Sequence, residues 1–170
     1  KQLVFVSWSE NGWRNIGHKS KLIKTPSDLK GEKMRSQESQ SHLAFWKKLD
    51  ASPVAIATPE VLSALQTGVV QGFDNTPLFT MAAEWHTAIK NFSLTQHIYQ
   101  PAAVVYSKKF WRKLKPKSQK ILMGKGNKLA VDSRKEIRAL DDQLLSVLKE
   151  SGVNVYQLSE SEKKVWKESK

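Results

Sequence analysis

An arginine and an asparagine are the residues whose types and positions first suggest chemistry in this chain. Arg35 ends a short extended run at residues 31–35, and Asn75 ends a second such run at residues 69–75. Helical segments join the two runs, and parallel strands joined in this way deliver their carboxyl ends to one edge of a sheet. Because α/β folds bind ligands at that edge, Arg35 and Asn75 are a candidate pair around one small anion.

Arg14 is a second candidate cation, since it also follows a predicted glycine turn within a short extended stretch. A guanidinium binds a carboxylate through two parallel hydrogen bonds, stays charged at every relevant pH and tolerates partial burial. The alternative is a surface salt bridge, for example between Arg35 and Asp28 or Glu32, because such pairs are common. The residues alone leave both interpretations open.

Catalysis and metal binding have no comparable support in the sequence. The four histidines are widely spaced and cysteine is absent, so we expect neither a metal site nor a disulfide. The chain contains no Gly-x-Ser-x-Gly elbow, phosphate-binding loop or dinucleotide fingerprint. No residue that could act as a catalytic nucleophile can be assigned to a residue that could act as its general base. The prediction is therefore a protein that is not an enzyme and that uses no cofactor.

The composition is that of an ordinary globular protein. With 170 residues, 39% hydrophobic and 26% charged, the chain is expected to form one domain, or one and a part. No apolar run approaches the roughly 20 residues that a transmembrane helix needs. The chain starts in a β-rich stretch without a secretory leader, which is the start expected of a mature, processed or truncated product.

Positive charge is concentrated in the last third of the chain. The net charge is +12; residues 1–106 carry 11 Lys and Arg against 8 Asp and Glu, whereas residues 107–170 carry 17 against 8. Residues 108–120 include seven basic residues and no acidic one. Such a patch suits nucleic acid, an anionic membrane or an acidic protein surface, but a solvated helical face is the more common interpretation.

Strand and helix patterns alternate throughout, which predicts an α/β layered architecture. The predicted strands lie at residues 3–8, 54–56, 69–75, 92–94, 97–106 and 153–156. The main predicted helices lie at residues 39–51, 58–68, 77–85, 108–114, 116–150 and 159–166. A turn is expected at residues 9–12, a buried central strand at 102–106, and a kink near Gly124 or Gly126 in the longest helix.

Several ordered segments resemble one known family. They are Gly12-Trp-Arg14, Lys24-Thr-Pro-Ser-Asp-Leu-Lys-Gly-Glu-Lys-Met-Arg35, Ala51-Ser-Pro53, Glu60-Val-Leu-Ser-Ala-Leu-Gln-Thr-Gly68 and Val70-Gln-Gly-Phe-Asp-Asn75. In this order they are similar to the solute-binding protein of a tripartite ATP-independent periplasmic (TRAP) transporter, of the DctP type. The resemblance covers nearly the whole chain.

This resemblance implies a periplasmic, monomeric binding protein with two α/β lobes, crossing strands and one long helix. Such a protein hands an organic acid, a dicarboxylate in many cases, to a membrane permease. The chain would be mainly the second lobe, formed by residues 12–100 plus 141–170. Residues 1–11 and 101–140 would be hinge-crossing and first-lobe segments, with most of the N-terminal lobe missing.

The resemblance also implies roles for individual residues. The main carboxylate-binding arginine of the family falls on Arg35, its second arginine on Arg14 and its pocket asparagine on Asn75. Thr58 stands where an aromatic residue often stacks on the ligand. Glu38 stands where a small polar residue often borders the ligand, and a carboxylate there would repel a dianion but suit a hydroxylated or amine-bearing acid.

The alternative function is a basic α/β domain that binds nucleic acid or an anionic surface.

Overall fold

A computed structural model describes residues 2–124 and 126–169 of the chain. Six strands form a mixed sheet in the order β3-β2-β4-β1-β5-β6. The strands are β1 (Leu3–His18), β2 (Lys33–Ser36), β3 (Ser52–Ala55), β4 (Gly72–Asn75), β5 (Asn91–Ser107) and β6 (Asn154–Tyr156). The helices are α1 (Gln40–Lys48), α2 (Val61–Thr67), α3 (Pro77–Ala82), α4 (Lys108–Trp111), α5 (Pro116–Met123), α6 (Gly126–Glu150) and α7 (Glu160–Glu168). This confirms the predicted α/β class.

The chain divides into two compact units. The smaller unit comprises Lys1–Gly12 and Gln100–Asp141, and the larger unit comprises Trp13–Tyr99 and Asp142–Lys170. Strands β1 and β5 and helix α6 each contribute residues to both units. Within the part of the chain that the structure describes, no helix is both long enough and apolar enough to cross a membrane.

The larger unit contains two hydrophobic clusters of buried side chains. Phe73, Trp85 and Phe92 lie in one cluster, and Met34 and Trp46 lie in the other. Parallel pairing joins β2 to both β3 and β4, while β1 runs antiparallel to β4. Large aromatic side chains from helices and strands therefore fix the positions of the short central strands.

Glycine at position 72 allows β1 and β4 to approach closely. A Cβ atom on Gly72 would lie 2.7 Å from the backbone oxygen of Gly17, which is closer than a real side chain permits. The register places His18 opposite Gly72 and Asn15 opposite Asn75. The close strand contact therefore depends on Gly72 and brings the Asn75 end of β4 against β1.

Several predicted helix boundaries are confirmed. Thr76 accepts a hydrogen bond from the backbone N–H of Phe79 and caps α3. Ser159 and Glu162 form a capping box at the start of α7, close to the predicted start at residue 159. Gly68, in a left-handed conformation with φ 79°, ends α2 as expected.

The prediction of a turn at residues 9–12 is wrong, because β1 continues from Leu3 to His18. The strands predicted at 92–94 and 97–106 are likewise one strand, β5. Positive φ angles occur inside these strands, at Gly12 (100°) and Gln96 (45°). At the second position, the backbone N–H of Gln96 donates to the side chain of Asn15 at 3.1 Å. At Gln96, a cross-strand partner thus holds an irregular residue inside a strand, where the local sequence pattern predicts a break.

Two further predictions about the smaller unit are wrong. The single helix expected from 116 to 150 is divided into α5 and α6, because Gly124 adopts φ 51° and ψ −147°, which is not helical. The break nevertheless falls where a kink was predicted. Lys125, through which that helix was expected to run, lies outside the described residues. The strand predicted as central at 102–106 is not buried, since Val104 is 38% and Val105 42% exposed.

Candidate functional site

Two parallel strands bring Arg35 and Asn75 to the same edge of the sheet. Met34 of β2 pairs with Gly72 of β4 in parallel register, so Arg35 and Asn75 both lie near the carboxyl ends of their strands. This confirms the parallel arrangement expected from the sequence. Arg14 belongs to β1, the antiparallel neighbour of β4. All three candidate side chains are buried, at 3% (Arg14), 3% (Arg35) and 4% (Asn75) exposed.

The guanidinium of Arg35 is held on one edge and one face. Its Nε and Nη2 donate to the backbone oxygen of Ile56 at 3.0 and 2.9 Å. Ile56 directly follows β3, whose parallel pairing with β2 places this carbonyl beside the arginine. The guanidinium carbon also lies 5.4 Å from the centre of the Trp85 ring, within range of a cation–π interaction. The head group is therefore fixed before any ligand arrives.

The alternative salt bridge between Arg35 and Asp28 or Glu32 does not form in the described structure. Asp28 accepts hydrogen bonds from the backbone N–H groups of Lys24 and Thr25. Glu32 contacts His18 at 3.2 Å and Lys21 at 3.2 Å. Both carboxylates therefore stabilise the local chain instead of Arg35.

The charges around Arg35 favour an incoming anion. Burial lowers the pKa of Arg35, the negative charge of Asp74 opposes that shift, and the positive charge of Arg14 adds to it. The negative charge of Glu38 also opposes the shift, with a smaller effect. Arg35 keeps its charge in proteins because the ordinary pKa of a guanidinium is so high. A bound carboxylate would supply the close counter-charge that a buried cation favours.

Asp74 is the buried acidic centre of the site, and the sequence analysis did not identify it. Its side chain is fully buried, and it accepts from Nε and Nη2 of Arg14 at 2.6 and 2.9 Å. Nε2 of His42 lies 3.1 Å from its Oδ1, and Nε2 of His97 lies 3.2 Å from its Oδ2. Residues from β1, α1, β4 and β5 thus meet at one carboxylate.

The surroundings of Asp74 keep it ionised. Burial alone would raise the pKa of Asp74, but the polar contacts from Arg14, His42 and His97 outweigh it and hold the pKa well below its usual range. Burial is the main influence on His97 and lowers its pKa, despite the opposing charge of Asp74. This cluster is therefore a fixed ion pair between Arg14 and Asp74 with a neutral His97 beside it. The arrangement is structural and is not a catalytic acid–base pair.

The two histidines are oriented by their other ring nitrogens. Nδ1 of His42 accepts from the backbone N–H of Gln37 at 3.0 Å, so in the neutral ring the proton lies on Nε2, facing Asp74. Nδ1 of His97 lies 2.7 Å from the Thr95 hydroxyl. The His97 ring also stacks on Phe45 with a centroid separation of 5.2 Å. Each ring is thus held by a contact on its far side.

The other predicted site residues make contacts that differ from those of Arg35. Oδ1 of Asn75 accepts from the backbone N–H of Thr76 at 2.9 Å, which orients the amide. Thr58 is exposed at the start of a 3₁₀ turn, two residues after the carbonyl that holds Arg35. Glu38 is exposed and acts on Arg35 through its charge. Arg14 is bound to Asp74, so its contact with a ligand stays a prediction.

One feature of the sequence points to a functional residue that was not predicted. A charged residue between Phe73 and Asn75 in a strand expected to be buried indicates a satisfied buried carboxylate at Asp74. Trp85, by contrast, has no local pattern that links it to Arg35.

Within residues 2–124 and 126–169, no group of three or more acidic or histidine side chains is arranged to hold a metal ion.

Comparison with known proteins places this arrangement in a family. The model of the bacterial extracellular solute-binding protein family 7, DctP, matches residues 1–170. The 2,3-diketo-L-gulonate-binding periplasmic protein of Escherichia coli K12 is 30% identical over 155 residues, which are 91% of this chain and 47% of that protein. The C4-dicarboxylate-binding periplasmic protein of Rhodobacter capsulatus is 29% identical over 170 residues, 99% of this chain and 50% of that protein.

Solved structures give the same result. A TRAP periplasmic solute-binding protein of Citrobacter koseri with bound D-glucuronate has a TM-score of 0.84 at 31% identity, covering 98% of this chain and 56% of that one. One from Sulfitobacter sp. NAS-14.1 with bound β-D-galacturonate has a TM-score of 0.89 at 26% identity, covering 98% and 55%. The chain spans about half the length of these relatives. It belongs to the DctP family of periplasmic solute-binding proteins of TRAP transporters, a family of transport proteins and not of enzymes.

Proposed function

We propose that this chain carries the carboxylate-binding site of a TRAP solute-binding protein, which captures a small organic acid and delivers it to a membrane permease. The observation that carries the proposal is the state of Arg35. Arg35 is 3% exposed, and its guanidinium is hydrogen-bonded to the carbonyl of Ile56 and lies near the ring of Trp85. In the described part of the chain, Arg35 forms no ion pair with a carboxylate, so a ligand carboxylate is its natural partner.

Arg14 and Asn75 complete the proposed site in different ways. Arg14 neutralises Asp74, which otherwise would place an unpaired anion beside the ligand. Asn75 has its amide oriented by the bond to Thr76, so its nitrogen is the group with which it would bind a ligand oxygen. Arg35 is thus the primary clamp, Asn75 a hydrogen-bonding partner, and Arg14 a second cation acting mainly through Asp74.

The proposed ligand is a hydroxylated monocarboxylate, such as a sugar acid. Glu38 is close enough to act on the charge of Arg35, and it would repel a second carboxylate on the ligand. Exposed Thr58 offers a hydroxyl group, which can form a hydrogen bond with a hydroxylated ligand but not with an apolar one. Relatives crystallised with D-glucuronate and D-erythronate support this class. A C4-dicarboxylate, bound by other relatives, is the alternative.

We assign the two units to the lobes of such a protein. Residues 12–100 plus 141–170 would be the second, ligand-binding lobe, and residues 1–11 and 101–140 would be hinge-crossing and first-lobe segments. The boundaries of the compact units support this division. The protein would act as a monomer, with the ligand and the TRAP permease as its partners.

Calorimetric titration with matched ligands tests the proposed ligand class. D-glucuronate, D-galacturonate, succinate and uncharged D-glucose are titrated up to about 10 mM, because a dissociation constant of 1 mM still corresponds to about 4 kcal/mol of binding free energy. We expect binding of at least one uronate, weaker binding of succinate and none of glucose. Binding of succinate alone would favour the dicarboxylate alternative. Equal binding of glucose and glucuronate would contradict a carboxylate site.

A further inference from the structure

The smaller unit carries most of the excess positive charge of the chain. Residues 1–12 and 100–141 include 13 Lys and Arg against 4 Asp and Glu, whereas the larger unit has 15 against 12. The excess centres on residues 108–123, which comprise α4, the following turn and α5. We call these residues the basic surface. The site around Arg35 makes no use of them.

All seven cations of the basic surface are exposed: Lys108, Lys109, Arg112, Lys113, Lys115, Lys117 and Lys120. In the residues that the structure describes, none of these seven forms an ion pair. Two cations elsewhere in the same unit are paired, since Lys128 contacts Asp132 at 2.8 Å and Arg138 contacts Glu10 at 2.8 Å. Seven unpaired like charges repel one another, and an external anionic partner would relieve that repulsion.

Large apolar side chains are exposed among these cations. Phe110 is 48%, Ile121 67% and Met123 38% exposed. Ile121 lies four residues after Lys117 in α5, so the two side chains share one face of the helix. Exposed apolar groups surrounded by Lys and Arg are the pattern of a surface that enters the headgroup region of an anionic membrane.

The basic surface is also held in place by contacts within the smaller unit. The backbone N–H of Lys108 donates to the oxygen of Gln2 at 2.8 Å. The side-chain nitrogen of Gln119 donates to the oxygens of Trp111 at 2.9 Å and Leu114 at 3.3 Å, which fixes the turn between α4 and α5. The ring of Tyr106 lies 5.8 Å from that of Phe110. Cations and apolar side chains are therefore presented in a fixed arrangement.

A cavity in this surface has the chemistry of a phosphate subsite. It has a volume of about 370 Å³ and is lined by Gln2, Ser107, Lys108, Lys109 and Arg112. Three cations and two neutral polar side chains converge there without a carboxylate in the lining. Charge-assisted hydrogen bonds from Lys and Arg are the usual means of binding a phosphodiester.

We propose that the basic surface docks the protein on the anionic phospholipid of the membrane that holds its permease. This role is separate from carboxylate binding and does not depend on which acid the protein binds. The cations attract the surface, a phosphate group occupies the cavity, and Phe110 and Ile121 enter the interface. An acidic protein surface or a nucleic acid would also attract the cations. Exposed Ile121 and Met123 favour lipid over single-stranded nucleic acid, which is bound largely by stacking aromatic rings, and competition experiments separate lipid from an acidic protein.

Flotation with lipid vesicles tests this proposal on the 170-residue chain. Vesicles of equal parts phosphatidylcholine and phosphatidylglycerol should bind the protein, whereas pure phosphatidylcholine vesicles should not. Binding should weaken as the salt is raised from about 0.1 M to 1 M, because the Debye length falls from about 10 to 3 Å. Equal flotation with both kinds of vesicle, or none with either at low salt, would overturn the proposal without any variant.

Two matched triple variants locate the interaction. Lys108→Gln/Lys109→Gln/Arg112→Gln should weaken vesicle binding on the order of 100-fold, since each basic residue near an anionic membrane contributes about fivefold. The control Lys30→Gln/Lys47→Gln/Lys48→Gln removes the same charge from exposed residues of the larger unit. It should leave binding within about twofold of the parent, because these residues lie outside the docking surface. An equal loss in both variants would mean that net charge alone is responsible and would overturn the proposal.

A third variant separates lipid from other anionic partners. Phe110→Ser/Ile121→Ser keeps every charge and should reduce flotation while leaving the salt dependence in place. Unchanged flotation of this variant would contradict insertion into the interface. In the same buffer, duplex DNA and poly-aspartate are offered as competitors. If either binds more tightly than the anionic vesicles, the surface serves a nucleic acid or an acidic protein instead, and the proposal fails.

Discussion

Arg14 and Asp74 form a buried ion pair with two hydrogen bonds, of 2.6 and 2.9 Å, between adjacent antiparallel strands. The pair decides which arginine is available to a ligand. Arg14 has Asp74 as its counter-ion, whereas Arg35 donates to the uncharged carbonyl of Ile56. We therefore expect the carboxylate-binding role to fall on Arg35, with Arg14 supporting it by neutralising Asp74.

Removal of the charge at Asp74 is expected to destabilise the fold. Asp74→Asn leaves Arg14 buried without its counter-ion, and breaking a buried pair in this way costs about 3–5 kcal/mol. Urea denaturation followed by circular dichroism measures the change. Glu38→Gln is the control, since Glu38 is exposed and surface substitutions stay within about 0.5 kcal/mol. Equal stability of Asp74→Asn and the parent would show that the pair contributes nothing net.

Stability should fall when the pH is lowered below the ordinary pKa of histidine. Burial lowers the pKa of His97 and of His18 in the folded protein, so the unfolded chain takes up protons first, at about pH 6.5. Between that value and the folded pKa, the unfolded state binds more protons and the free energy of unfolding decreases with falling pH.

The variant His97→Gln isolates one of these two contributions. Between about pH 7.5 and pH 5.5, the free energy of unfolding should decrease less in this variant than in the parent, because a neutral amide has no proton to take up. Urea midpoints at both values provide the measurement. If the parent and His97→Gln lost the same free energy over this interval, His97 would have the same pKa in both states.

Trp85 is expected to position the guanidinium of Arg35 for its ligand. Trp85→Leu removes the aromatic face 5.4 Å from the guanidinium carbon, while Trp85→Phe keeps an aromatic ring beside Phe73 and Phe79. A cation–π contact contributes about 0.5–2 kcal/mol, so the leucine variant should bind the carboxylate roughly 2- to 30-fold more weakly. Calorimetry on variants that remain folded measures this. Leucine and phenylalanine variants of equal affinity would argue against a positioning role.

Local sequence patterns were sufficient to predict the parallel strands that carry Arg35 and Asn75. Each strand is a short extended run near a glycine and is followed by a helix, so its limits are encoded within a few residues. The Asp74 cluster was not predicted, because its members at positions 14, 42, 74 and 97 belong to four separate elements. Their proximity follows from strand order, which no local pattern determines.

The errors in the smaller unit have two physical origins. The residues at 9–12 have the composition of a turn, but pairing between long strands overrides that local preference. Conversely, the periodic pattern of the long helix extends across Gly124, whose backbone conformation nevertheless ends α5. The strand therefore depends on pairing with residues elsewhere in the chain, whereas the end of α5 is set locally at a glycine.

Calorimetric titration of Arg35→Ala against the tightest-binding carboxylate is the most direct test of the proposed site. The control Arg112→Ala removes an equal charge from the exposed basic surface. Loss of the buried clamp should cost about 3–5 kcal/mol, an affinity lower by a factor of about 100 or more, whereas the control should bind as the parent does. Circular dichroism confirms that both variants are folded. Unchanged carboxylate affinity in folded Arg35→Ala would contradict the assignment of Arg35 as the carboxylate clamp.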